Sequence, residues 1–99
     1  MQRCREISTE STDPDERRSA VELLRVVADG RALPWISDYL DDEDDVVQMW
    51  GVGILDQLLF SRLIEPEDAE DLLLRAADHP NARVRAEAQA IREFLAGRT

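Results

Sequence analysis

Apolar and small residues recur at one helical spacing in two stretches of the chain: Val47, Gly51, Ile54 and Leu58, then Val84, Ala88, Ile91 and Leu95. Steps of four, three and four residues place each set on one face of an α-helix and mark a buried stripe. The two sets lie 37 residues apart, and the offset extends backward, so that residues 34–47 are echoed by residues 71–84. Each copy reads as a helix, a short acidic or Asn/Pro turn, and a second helix. One helix pair cannot bury its own apolar face, so a repeat of this size predicts a stacked array in which neighbours cover one another.

Local punctuation predicts five helices. Residues 1–12 carry Ser, Thr, Arg and Glu without periodicity and are expected to form a flexible tail, leaving residues 13–99 as the repeat domain. Asp13, Pro14 and Glu16 supply an N-cap, a first-turn proline and a capping-box partner. The helix they start is expected to reach about Ala28, with Ala20, Leu23, Leu24 and Val27 inward. A short second helix follows over residues 34–40, burying Trp35, Ile36, Tyr39 and Leu40. The third and most apolar helix covers about 44–62, the fourth 66–78, and the fifth, capped by Asn81 and stopped by Gly97, 82–96. The predicted shared core holds Val47, Ile54, Leu58, Leu72, Leu73, Val84, Ile91 and Leu95. Gly51 and Gly53 each cost about 0.8–1 kcal/mol relative to Ala in a helix interior. Gly51 matches Ala88 and points to a close helix–helix approach, whereas Gly53 points to a crowded neighbour or a partner.

Composition narrows the class. Of 99 residues 43% are hydrophobic and 34% charged, the balance of one small helical domain. No apolar run approaches the ~20 residues that span a bilayer, and the N-terminus lacks the apolar core of a secretory signal, so a cytoplasmic location is expected. The one cysteine, Cys4, cannot form an internal disulfide, which fits a reducing compartment. The net charge of −10 is uneven: residues 1–28 carry −1, residues 29–71 carry −11 and residues 72–99 carry +2. Such a field repels nucleic acid and anionic membrane and speeds encounter with a basic protein. Every basic residue is Arg, the codon bias of a GC-rich bacterial genome.

Residues 76–95 resemble the second half of a HEAT repeat: a turn carrying Asp78, Pro80 and Asn81, then Val84-Arg85, then small and aliphatic positions. Arg85 stands where that family places its arginine, and its counterpart Gln48 departs from the pattern. The resemblance spans about residues 32–96, with the first predicted helix similar to the second helix of a truncated repeat. It implies an all-α fold, a short α-solenoid of about five antiparallel helices in two and a half repeats, and a role in protein binding. Val47-Gln48-Met49-Trp50-Gly51, with Leu55-Asp56-Gln57-Leu58 and Glu67-Asp68-Ala69-Glu70 downstream, is similar to small bacterial HEAT-like proteins, some of which are immunity partners of secreted toxins. That likeness implies an immunity-type inhibitor docked on a basic partner such as a nuclease toxin. The alternative is a scaffold or regulatory subunit of a larger complex.

The candidate partner-binding residues are Asp38, Asp41, Asp42, Glu43, Asp44, Asp45, Trp50 and Asp56. Five consecutive carboxylates repel one another, so the run from Asp41 to Asp45 must be solvated, cap the following helix or face positive charge. Three readings stay open at this point: a solvated turn with a cap, a ridge for a basic protein, and a metal site without the ligand alternation and central Gly of an EF-hand loop. Asp38 and Asp56 extend the ridge. Trp50 aligns with Glu87 at an edge position and reads either as inter-helix packing or as a partner anchor. No catalytic set is expected: His79 is alone in a Pro turn, Cys4 sits on the expected tail, and phosphate loops and zinc spacings are absent. The chain is therefore read as no enzyme, with no cofactor and no metal. A short array also leaves an apolar end, predicting weak homodimerisation or a complex through one end, the first helix above all.

Overall fold

Three caps of the same kind frame the structure. Asp13, Asp44 and Asn81 each accept the backbone N–H two residues on, from Asp15, Val46 and Arg83 at 2.8–2.9 Å. Side-chain acceptors satisfy amides that a helix start leaves unpaired. In this computed structural model, which describes residues 1–97, those caps start α2 (Pro14–Val27), α4 (Asp45–Phe60) and α6 (Ala82–Gly97). The two last residues of the expected domain, 98 and 99, lie outside the described part. A second layer holds α1 (Gln2–Glu10), α3 (Leu33–Leu40) and α5 (Pro66–Ala77), each packed on the helix that follows it. Neighbours run antiparallel, α2, α4 and α6 lie side by side, and the described residues contain no strand.

Counting from the caps superimposes the three inner helices. Seven residues on stand Ala20, Gly51 and Ala88, all buried, where only a small side chain lets the outer helix approach. At Gly51 an added Cβ would lie 2.6 Å from Tyr39 Cβ, so the glycine is the contact surface between α4 and α3. Eight, eleven and fifteen residues on, Val21 and Leu24 in α2 with its C-cap Ala28, and Val52, Leu55 and Leu59 in α4, are buried in the seam toward the next repeat. Of the expected core, Val47, Ile54, Leu58, Leu73, Val84 and Ile91 are buried, while Leu72 and Leu95 are half-buried against it.

Four residues past each cap stands a long polar side chain tying down the preceding turn. Arg17 Nε donates to the Ser8 carbonyl at 2.8 Å, Gln48 Nε2 to the Asp42 carbonyl at 2.6 Å, and an Arg85 guanidinium nitrogen to the His79 and Pro80 carbonyls at 2.7 and 2.9 Å. Gln48 thus does with an amide what Arg85 does with a guanidinium.

The structure corrects the expected pattern in four places. Residues 2–10 form α1 rather than a tail, which makes six helices instead of five. The helix docks through Ser8, fully buried, whose hydroxyl lies 2.6 Å from the Tyr39 hydroxyl and donates to the Arg5 carbonyl at 2.8 Å. Ala20 and Leu24 face inward as expected, but Leu23 and Val27 do not; they are 50% and 47% exposed, and Val21 and Ala28 take their share of the core. Asp13 and Glu16 make no capping box, because Glu16 accepts from the Ser11 hydroxyl, which in turn accepts the Asp13 N–H. The reciprocal box is at α5, between Glu65 and Asp68. Finally, α4 stops at Phe60 and not near Arg62: Arg62 adopts φ 57°, its N–H bonds Leu59 O at 3.1 Å and the Leu63 N–H bonds Leu58 O at 2.9 Å, closing the helix in a Schellman turn.

Candidate protein-docking surfaces

The acidic turn between α3 and α4 divides its charges between structure and solvent. Asp44 is the cap of α4, with Val46 and Val47 N–H at 2.8 and 3.3 Å, and also accepts from Arg18 at 2.8 Å. Partial burial pushes its carboxyl up, but the Arg18 bond and the two amides outweigh this and leave it below the usual Asp value. Asp42 accepts the Asp44 N–H at 2.9 Å and pairs with Arg17 of α2. Asp41 pairs with Arg75 of α5 at 2.7 Å, and Asp38 with Arg5 of α1 at 2.6 Å. Glu43 and Asp45 are exposed and have no ion pair among the described residues. The run therefore holds three internal bridges, reaching α2 and α5, and two carboxylates with no ion pair among the described residues, while Asp38 in α3 adds a fourth bridge to α1.

Trp50 and Asp56 lie apart from that turn, on the open face of the inner layer. Trp50 is half-buried, and the Arg25 guanidinium of α2 stacks over its ring at 4.5 Å from the centroid. Gly53, whose role the sequence left open, makes this possible: an added Cβ would lie 2.8 Å from Arg25 Cδ, so the missing side chain gives the arginine its path across α4. Asp56 stands close enough to Glu87 of α6, across the next seam, for its charge to act on the Glu87 carboxyl. Beyond it Phe60 and Phe94 stack with centroids 5.8 Å apart. Arg25 and Glu87 were not singled out from sequence, although Glu87 could have been found as the repeat counterpart of Trp50.

Burial, then the Asp56 charge and the hydrogen bond to Asp56, push the Glu87 carboxyl above the ordinary Glu value, against the opposing pull of Arg25. The folded chain thus holds this proton to higher pH than the unfolded chain, and stability falls as pH rises from the ordinary Glu range through the raised value. Glu87→Gln is expected to abolish that decline and to raise the melting temperature near neutrality. Thermal melts of both proteins over about pH 4 to 7 decide it: parallel curves for wild type and variant contradict the raised Glu87 carboxyl.

His79 has a structural post. Its Nδ1 accepts the Asn81 N–H at 3.0 Å, so Nε2 carries the proton and donates to the Leu40 carbonyl at 2.7 Å, joining the α5–α6 turn to the end of α3. Among the described residues no three His, Cys, Asp or Glu side chains converge as metal ligands, and no helix is long and apolar enough to cross a membrane.

A family model described as HEAT repeats matches residues 3–92. No curated protein and no solved structure matches the chain.

Proposed function

Since the chain belongs to the HEAT-repeat family, whose members serve in general as protein–protein interaction modules, we propose that it is a non-catalytic binding module for a basic protein. An immunity-type inhibitor of a basic toxin is the narrowest form of this reading. The observation that carries it is the negative charge left open to solvent after the internal bridges are formed. Glu43 and Asp45 form no ion pair among the described residues, and the side chains of Asp38 and Asp41 stay 63% and 72% exposed even within their ion pairs. Exposed carboxylates of this kind raise the rate of encounter with a cationic surface more than they add to its final affinity. A scaffold or regulatory subunit is the second reading. The exposed side chains of Val26 and Phe60 on the open inner-layer face favour it, since they suit a partner without a charge theme.

The test takes the partner recovered by affinity purification and measures association rate against ionic strength. Asp41→Asn, Glu43→Gln and Asp45→Asn are combined, because Asp42 and Asp44 hold the turn and would confound binding with folding. Wild-type association should slow steeply with salt, while the triple variant should be slower at low salt and nearly flat. Equal salt slopes would remove this ridge from recognition.

A further inference from the structure

We propose that the N-terminal edge of the stack, along α2 and its groove with α1, docks an amphipathic helix of a basic protein partner. The inference rests on the binding reading above and gives it a place and a partner shape.

The shape follows from the repeat. Ten and fourteen residues past their caps, α4 carries Ile54 and Leu58 and α2 carries Leu23 and Val27. The first pair is fully buried within the stack; the second is 50% and 47% exposed. The edge of α4 that turns toward the preceding repeat meets α2, as the Arg25 contacts with Trp50 and Gly53 show. The corresponding edge of α2 has aliphatic residues in the same places and, among the described residues, no preceding inner helix beside them. A partner helix laid there would occupy the position a preceding inner helix holds, burying Leu23 and Val27 as Ile54 and Leu58 are buried. Beside this edge a groove of about 410 Å³, lined by Cys4, Ile7, Ala20 and Leu23, separates α1 from α2.

Charge selects the partner. Asp15 and Glu16 stand on the groove rim, and the adjoining depression adds Glu6 and Glu10 against a single Arg3, itself 3.4 Å from Glu6. Unlike the acids at Asp38, Asp41, Asp42 and Asp44, Glu10, Asp15 and Glu16 form no ion pair among the described residues. A second copy docked through the same face would bring two acidic rims together, whereas a helix with Arg or Lys beside its apolar stripe would find opposite charge along the groove rim.

Cys4 reports on occupancy, because it lines the groove and is the one thiol in the sequence. The probe is an amphipathic helical peptide with a Leu stripe flanked by Arg, compared with the same stripe flanked by Glu. Binding is followed by fluorescence anisotropy and Cys4 modification by a soluble thiol reagent. The Arg peptide should bind saturably and slow Cys4 modification at least about fivefold, an effect expected when most chains carry a bound peptide. Leu23→Asp, at an exposed site that leaves the fold intact by circular dichroism, should abolish both effects. Asp15→Asn with Glu16→Gln should weaken binding by roughly three- to tenfold, the scale of two surface charge contacts. Binding of the Arg peptide with Cys4 unprotected and Leu23→Asp still active would overturn the groove while leaving a basic partner in place. No binding of the Arg peptide anywhere would count against both. Equal protection by the Glu peptide, or a peptide-free dimer with Cys4 already shielded, would assign the edge to another occupant and overturn the proposal.

Discussion

Ile54→Ala is expected to remove about 2–5 kcal/mol of stability, the range for truncating a fully buried aliphatic side chain to a cavity. Ile54 is 0% exposed and lies in α4, which packs against α2, α3, α5 and α6. The surrounding helices are held by caps and turn bridges and can close the void only in part. For a domain whose whole stability is on the order of 5–15 kcal/mol, the loss is a large fraction. Urea denaturation at constant m-value measures it. A change under about 0.5 kcal/mol, typical of surface sites, would mean that the stripe does not carry the core.

Gly51→Val should cost about 1–3 kcal/mol or more, the range for overpacking a core. Its Cβ would fall 2.6 Å from Tyr39 Cβ, an atom held at the backbone of α3 that cannot swing aside. α3 must then move as a body, and with it the Tyr39 hydroxyl that anchors Ser8 of α1. Gly53→Ala is the matched control. There the close atom, at 2.8 Å, is the flexible Cδ of Arg25, and the gain of about 0.8–1 kcal/mol in helix propensity offsets the displacement. Denaturation of the two variants side by side gives the answer, and equal losses would refute the distinction between a rigid and a yielding neighbour.

The stacked helix pairs were legible because the same stripe, turn and cap occur twice at one offset, and physical demands that repeat leave a repeating trace. α1 was hidden for the opposite reason. Its docking residue is a serine, buried with full hydrogen bonding to Tyr39 and Arg5, and a polar side chain satisfied in this way leaves no mark on a hydrophobic pattern. On the inward face of α2 the sequence marks Ala20 and Leu24 correctly but not Leu23 and Val27, because Leu23, Leu24, Val26 and Val27 are all aliphatic and periodicity does not say which neighbour is missing. The acidic run is visible as charge, but its arginines come from α2 and α5, so only the fold tells a bridged Asp42 from an open Glu43. Arg62, a non-glycine residue at positive φ, gives no glycine signal for the helix stop it forms.

The two ends of the stack are chemically unlike, and this bears on how copies of the chain behave at high concentration. At the places where α2 and α4 bury Val21, Leu24 and Ala28 or Val52, Leu55 and Leu59, α6 presents Gln89, Arg92 and Ala96 to solvent. Head-to-tail addition, the route by which a non-closing contact grows into a fibre, would press a guanidinium and an amide against the aliphatic edge of the next molecule. Among the described residues the α6 edge is thus polar where the α2 edge is aliphatic, a mismatch that disfavours head-to-tail growth of copies into a polymer.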